Sequence, residues 1–447
     1  MRLRHFLIPL LGFFFCISCS SGIDSEFEPD KKFPAAQLRN DFTQLKDLLD
    51  HNHPVLKAFK KETLLDEYYD SVMDSLTDSL TIVDYYLLVR PLVSQINCGH
   101  THLWLPEGYW SKMIHNFEHF PCKLYFDSNR AYVRYNYSAD SMLTPGTEIM
   151  SINGTAMADI IGNFLLLIPS EGHNSTSKYY HMNQISFGLF PGYGQFPERY
   201  IVEFIPPGGN NPQVDTIEAA GYEQIKQHGY KPMIPDEINS YGLNIIDSLK
   251  TAIIDIDFFP YENKDQQRSF LQDAFERIKN LGLTSLIIDV RDNEGGDPFM
   301  ASLLISYIID RDYTYFADFV IGYPDLKRPM APSTPNFRGD VYILMNGGSF
   351  SSTGHFLSLI RYYSLGKLVG EESGGTYHCN GCVKEFELDN TGLLLECPRC
   401  FFRTKVYGFN SDRGIFPDIS IKPAIDDMIN GSDAVMDSIL TIIEAKL

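Results

Sequence analysis

Positive charge is what this chain has least of: 37 Lys plus Arg stand against 57 Asp plus Glu, a formal charge of −20. No cluster of basic residues interrupts that excess, which argues against a nucleic-acid partner, since phosphate neutralisation needs grouped Lys and Arg. A spanning helix is missing as well, because the apolar run Phe6–Ile17 falls short of the roughly 20 residues a bilayer requires. Internal repeats are absent, and the only low-complexity tract is a short polar stretch near the N-terminus, so a solenoid is not expected. With 447 residues and 44% hydrophobic content, the chain can bury a large core divided among two or three domains.

The basic start Met1-Arg-Leu-Arg4, the apolar run and the small residues Ser18-Cys19-Ser20-Ser21-Gly22 read as a secretory signal. A cysteine directly after Ser18 resembles a bacterial lipoprotein site, which would make Cys19 the lipidated first residue of the mature chain. A plain cleaved signal peptide is the alternative. Cleavage before Cys19 removes Arg2 and Arg4 and no acid, taking the formal charge from −20 to −22. The expected organisation is a signal peptide over 1–18, a tether over 19–32, a helical region over 33–106, a β-rich domain over 107–247 and an α/β domain over 248–447.

Residues Phe42, Leu45, Leu48 and Leu49 recur at helical spacing, and Leu64–Leu76 and Ile82–Ile96 continue that pattern. Beyond residue 107, Cys122–Phe126 and Ala131–Tyr135 flank the turn Asp127-Ser128-Asn129 as a hairpin. From about 248, strands and helices alternate: Thr251–Phe258, Asp265–Leu281, Leu286–Val290, Pro298–Ile309 and Val341–Met345. Such alternation indicates an α/β domain with a largely parallel sheet.

Three motifs bear chemistry. In Leu344-Met-Asn-Gly-Gly-Ser-Phe-Ser351, a buried strand, a turn of small residues and an apolar helix meet at Ser351, where helix-start N–H groups can stabilise an oxyanion. A serine there is also a common helix cap. The loop Asp289-Val-Arg-Asp-Asn-Glu-Gly-Gly296 follows a buried strand, and Gly295 or Gly296 can offer a second N–H beside that of Ser352. Finally, Asn97-Cys-Gly-His-Thr-His102 places His100 and His102 after the helical region, and an imidazole is the usual base for a serine nucleophile. His355, one turn along the serine helix, is expected at the surface or behind the site.

In this order the motifs resemble the C-terminal-processing (tail-specific) serine peptidase family. The corresponding segments are Cys98-Gly99-His100-Thr101, Asp289–Gly296, Ser349–Gly354, Val369-Gly370-Glu371 with Gly374-Gly375, and Gly414-Ile-Phe-Pro-Asp418. Pro145-Gly-Thr-Glu-Ile-Met-Ser-Ile-Asn-Gly154 is similar to a PDZ domain's strand and tight turn. The resemblance implies a crotonase/ClpP-like α/β catalytic domain with a mostly parallel sheet, preceded by the helical region and a PDZ-like β-rich domain. One branch of the family uses a lysine after the Gly of the Val-Gly-Glu run; here Thr376 follows Gly375, which implies the tricorn-like serine-histidine branch. The implied site is Ser351 as nucleophile, His100 as base, N–H groups of Ser352, Gly295 and Gly296 for the oxyanion, and Ser411 or Asp412 to orient the histidine. Cys98 replaces the family's Asp, and Gly354-His355 replaces its Ala-Glu.

The implied protein is an exported serine endopeptidase of the bacterial cell envelope, lipid-anchored on its periplasmic or surface face, acting on unfolded or C-terminal polypeptide segments and needing no cofactor for catalysis. A catalytically inactive peptide-binding lipoprotein is the alternative, and hydrolysis of a non-peptide ester uses the same dyad. Eight cysteines complete the inventory. Cys379-Asn-Gly-Cys382 and Cys397-Pro-Arg-Cys400 flank a hairpin, so the four thiols are expected to meet as a structural zinc site or as disulfides, most simply Cys382 with Cys397 and Cys379 with Cys400. Cys98 and Cys122 are left over.

Overall fold

The structure is a computed structural model that describes residues 27–59, 64–138, 141–185, 196–230, 241–410 and 412–447. The expected signal peptide, Cys19 and Ser411 lie outside the described residues. Among the described residues, no helix is long and apolar enough to cross a membrane.

The α/β part is organised by strands that are apolar on both faces. Its six-stranded sheet runs in the order Tyr241–Ile246, Thr251–Ile256, Ser285–Asp289, Asp340–Met345, Lys367–Gly370 and Ile419–Ser420. The first pair is antiparallel and every other pair is parallel. Alternate residues divide between two layers, as strand geometry requires. Ile254, Ile256, Leu286, Ile288, Ile343 and Met345 pack beneath the helices Lys264–Asn280, Pro298–Ser306 and Ser352–Tyr363. Ile253, Ile287, Tyr342, Leu344 and Val369 meet Val435, Ile439 and Ile443 of the helix Ala434–Glu444. The strand Tyr241–Ile246 pairs in register with Thr251–Ile256, so this part begins before the expected residue 248.

The β-rich part is an antiparallel sheet in the order Gln213–Glu218, Arg199–Ile205, Glu148–Ile152, Arg130–Asn136 and Cys122–Asp127. Its hairpin turns at Ser128, which has positive φ, and Asn153-Gly154 makes the tight turn from Glu148–Ile152 into Thr155–Ala156. The helices Met157–Leu167 and Ser175–Gln184 close one face through Ile160, Ile161, Phe164, Leu167 and Met182. The segment between these two helices, 168–174, reaches the α/β part, where Asn174 Nδ2 donates to Ser373 O.

In the helical region, Ala35–Asn52 buries Leu38, Asp41, Phe42, Leu45 and Leu49 along one stripe and stops at His53-Pro54. Ile82–Ser94 packs against it, and the chain then turns through Asn97, with positive φ, into the strand His102–Trp104. Helix therefore ends at Ser94, short of the expected boundary of the helical region at 106. The strand pairs antiparallel with Leu394–Cys397, which itself pairs with Lys384–Glu387. Thus the hairpin between the two Cys-x-x-Cys pairs joins the α/β part to the helical region. Its apolar side, Leu388, Leu393, Leu395 and Cys397, lies in the same core as Phe42, Leu45 and Tyr85.

Asp41 holds the hairpin turn. Fully buried, it accepts from Asn390 N at 3.0 Å and Nδ2 at 2.6 Å, and from Thr391 N at 2.8 Å and Oγ1 at 2.7 Å. Asp41→Ala strands these donors away from water and is expected to lower stability by about 3 kcal/mol, with Asp41→Asn costing about half as much. Urea unfolding checks this; a loss no larger than that of an exposed substitution would refute the role.

Candidate active site

Ser351 sits at the N-cap of Ser352–Tyr363 with φ 51° and ψ −121°, and its side chain makes no capping bond. A non-glycine residue in such a conformation costs on the order of 1–3 kcal/mol, so the surrounding turn must hold it. Asn293 does much of that holding. Its carbonyl accepts from Phe350 N at 3.0 Å, and its Oδ1 accepts from Thr353 Oγ1 at 2.7 Å and Gly295 N at 2.9 Å. Ser349 Oγ donates to Val290 O at 2.7 Å, and Ser352 Oγ to Gly296 O at 2.6 Å. The serine hydroxyl is free of the cap role and lies beside the Cys379 thiol.

The His100 ring meets it: Nε2 lies 3.1 Å from Ser351 Oγ. Nδ1 lies 3.2 Å from Oε1 of Glu171, a carboxylate on the segment between the two helices of the β-rich part. The same oxygen accepts from Gly99 N at 3.2 Å. A carboxylate only accepts, so the Nδ1 proton points to Glu171 and the Nε2 lone pair faces the serine hydroxyl. The ring stacks on Phe350 at 4.6 Å, and Gly99 makes room: a Cβ there would lie 2.6 Å from the Phe350 ring.

Asp412 does not orient the histidine. It pairs with His173 Nδ1 at 2.8 Å on the exposed side, and its carbonyl accepts from His173 N at 3.0 Å. Its effect is to hold the Glu171 segment, because Gly172 is pressed so close that a Cβ would lie 2.4 Å from Asp412 O. Asn174 completes the clamp by donating to Ser373 O at 2.6 Å. Glu171 lies outside the three motifs, in Ser170-Glu-Gly-His173; the Gly-His pair beside an acid is the only local hint in the sequence.

The two glycines divide their work. The Gly295 N–H is taken by Asn293 Oδ1, whereas the N–H groups of Gly296 and Ser352 make no hydrogen bond among the described residues. Both glycines have positive φ; a Cβ on Gly295 would lie 2.7 Å from Ser351 Cβ, and one on Gly296 would lie 1.9 Å from Phe259 O. The loop is tied to the C-terminal helix by Arg291, which bridges Asp289 and Asp433 with bonds of 2.7 Å to each.

The other histidines stand apart. Burial lowers His102 to about 3; its Nε2 donates to Gly99 O at 2.9 Å, and its ring stacks on Trp104. His355 is interior rather than at the surface, lowered to about 3 by burial, with Cys379 Sγ 3.5 Å from its Nε2. Gly354 is required by contact, since a Cβ there would lie 2.6 Å from the backbone of Gly375 and Thr376. Cys98 is buried and accepts from Asn380 Nδ2 at 3.2 Å; burial, then the charge of Glu171, holds its thiol protonated, so it is no reactive thiol.

The four patterned cysteines do not converge. Cys379 points inward to His355, Cys397 lies in the helical core with its Sγ on Pro398 O at 3.5 Å, and Cys382 faces Cys400. No group of three metal-ligating side chains occurs among the described residues, so these thiols do not fit a four-thiolate zinc site. All six described cysteines are free thiols, and neither expected cross-link is formed.

Beside the Gly-Gly loop, burial and then the charge of Asp292 push Glu294 up to about 8. Its Oε1 has no hydrogen-bond partner among the described residues. An acid that binds its proton more tightly when folded favours the fold fully below its ordinary 4.5 and loses that contribution as pH rises through about 8. Glu294→Gln cannot ionise. Its thermal midpoint is expected to gain on the parent's progressively from pH 4.5 to 8, and an offset constant across that window would refute the assignment.

Residues 250–421 match the family model described as peptidase family S41. Among solved structures, mature CPAF superposes with a TM-score of 0.63 at 13% identity, covering 91% of this chain and 96% of that one. Mature CPAF complexed with lactacystin gives 0.64 at 13% identity, over 92% and 97%. The photosystem II D1 C-terminal processing protease gives 0.43 at 14%, over 89% and 98%. No curated protein matches the chain significantly. The matched segment contains the sheet, the Gly-Gly loop and the Ser351 turn, so this part of the chain is similar to peptidase family S41, and the fold is similar to that of mature CPAF.

Proposed function

We propose that this chain is an exported serine endopeptidase that cleaves unfolded or C-terminal polypeptide segments through an acyl-enzyme on Ser351. The observation that carries the reading is the line from Glu171 through His100 to Ser351, with contacts of 3.2 and 3.1 Å. His100 Nε2 takes the hydroxyl proton as Ser351 Oγ attacks the peptide carbonyl. The N–H groups of Ser352 and Gly296 receive the developing oxyanion, and removing one such donor typically costs about 10²- to 10³-fold in turnover. His100 then protonates the leaving amine, and water releases the acyl group by the reverse sequence. Glu171 holds the ring and offsets the charge of the imidazolium. Thr376 in the lysine position supports the tricorn-like serine-histidine arrangement.

The remaining parts fit this reading. We assign the antiparallel part a PDZ-like role in presenting substrate, and the α/β part a crotonase-like arrangement. Cys19 is the lipid-anchor position and the bacterial cell envelope the location, on the strength of the leader pattern alone.

A fluorophosphonate probe tests the nucleophile directly. The mature chain is expected to gain one adduct, mapped to Ser351, and to cleave unfolded protein. Ser351→Ala and His100→Ala are each expected to lower turnover by about 10⁶-fold. Glu171→Gln, which presents an amide to Nδ1 and favours the wrong tautomer, is expected to cost about 10⁴-fold with KM little changed. Saturable peptide binding without adduct or cleavage would establish the inactive, peptide-binding alternative. Cleavage that survives both Ser351→Ala and His100→Ala would sink the mechanism.

A further inference from the structure

We infer that Cys382 and Cys400 form a disulfide-forming pair, a modification site at the base of the hairpin that supports the His100 segment. Four of the six described cysteines, Cys98, Cys122, Cys379 and Cys397, are buried; Cys382 is exposed and Cys400 half-buried. These two are also neighbours. In the antiparallel pair His378–Gly381 with Cys400–Arg403, Gly381 stands directly opposite Cys400, and Arg399 N donates to Gly381 O at 2.9 Å. Cys382 follows at a turn with φ 54°, which brings its thiol against that of Cys400. The strand pairing fixes the backbones of Cys400 and of Gly381 beside Cys382, so closing the bond asks little of the chain.

The pair lacks the feature that destabilises a disulfide. Although Cys382 as a residue is exposed, partial enclosure of its thiol, then the neighbouring Cys400, pushes that thiol up to about 12. Strongly oxidising disulfides owe their instability to a stabilised low-pKa thiolate, which is the opposite situation. The reaction is thiol–disulfide exchange with an oxidising disulfide, either a protein of the oxidising compartment or oxidised glutathione. One thiol loses its proton and attacks a sulfur of the oxidant, forming a mixed disulfide. The second loses its proton and displaces that sulfur. The two electrons and two protons end on the oxidant as two thiols.

The position of the bond gives it a consequence. Between residues 382 and 400 the hairpin carries Leu394–Cys397, whose pairing partner His102–Trp104 begins two residues after His100. A covalent tie at the hairpin base limits its opening and, through that pairing, the loss of the His100 segment from the α/β part. This last consequence rests on the peptidase reading, whereas the disulfide itself does not.

The test compares the mature chain after oxidised glutathione and after dithiothreitol, with alkylation under denaturing conditions and peptide mapping. Oxidation is expected to remove two hydrogens, to join Cys382 to Cys400, to leave Cys98, Cys122, Cys379 and Cys397 alkylated, to raise the thermal midpoint by several degrees and to slow heat inactivation several-fold. Cys382→Ser and Cys400→Ser are each expected to abolish these changes while leaving reduced-state activity as in the parent. Cross-links Cys382–Cys397 or Cys379–Cys400, a stable glutathione adduct on Cys382 alone, or zinc at one per chain with all four patterned thiols protected would each overturn the inference. Fluorophosphonate labelling of the same samples separates the two claims: a chain that forms the bond but never labels Ser351 would refute the peptidase reading and leave the disulfide standing.

Discussion

The site depends on one constraint: side chains from three separately packed parts of the chain must meet in a line, with His100 within about 3 Å of both Ser351 and Glu171. Ser351 comes from the α/β part, His100 follows the N-terminal helices, and Glu171 comes from the segment between two helices of the β-rich part. The serine and histidine are 251 residues apart in sequence, and the histidine and glutamate 71. No local turn can supply that proximity, so it must come from the joints between parts. The pairing of His102–Trp104 with Leu394–Cys397 is a joint that begins two residues after His100. It is reinforced by buried Arg90, which donates to Leu103 O at 2.8 Å and to Leu167 O at 2.7 Å and lies over the Trp104 ring. One guanidinium thus ties the strand after His100 to the helix before Glu171.

Close backbone approach is the means by which the α/β part presents Ser351. Gly295 lies under Ser351, Gly348 against the Tyr180 ring, and Gly354 against Gly375 and Thr376; an added Cβ would come within 2.7 Å of a neighbour at each place. Side-chain bonds from Asn293 and Ser349 then take up the polar groups that such a compressed turn exposes. The strained φ of Ser351 is therefore determined by its surroundings on every side. A cap serine needs none of this, and its hydroxyl would be spent on the helix.

Legibility in the sequence followed locality. Ser351, the Gly-Gly loop and Gly99-His100 each lie in a short segment whose residue types are dictated by their own turn, and each could be read there. The parallel strands were also legible, because continuous apolar runs such as Leu286–Val290 leave little choice of structure. Glu171 was not, since its role arises only when the β-rich part docks, and Asp412, its neighbour across that interface, is the acid that sequence position favoured instead. The antiparallel edge strand Tyr241–Ile246 escaped for a similar reason: its half-buried pattern has meaning only beside Thr251–Ile256. The cysteine spacing misled in the opposite direction. Two Cys-x-x-Cys pairs on a hairpin suggest four convergent thiols, but Cys379 belongs to a strand whose interior face is already occupied by His355 and Phe402.

The departures from the family pattern acquire physical reasons in this arrangement. Gly354 replaces alanine where the nucleophile helix touches the chain at Gly375, with no room for a methyl group. Cys98 replaces aspartate at a fully enclosed place that already lies close to Glu171. A second carboxylate there would put two negative charges beside one imidazole, and one of them would have to bind a proton. A thiol kept neutral by burial avoids that conflict. It leaves Glu171 as the carboxylate that holds His100 among the described residues, and so ties the orientation of the ring to the docking of the β-rich part rather than to the motif that carries the histidine.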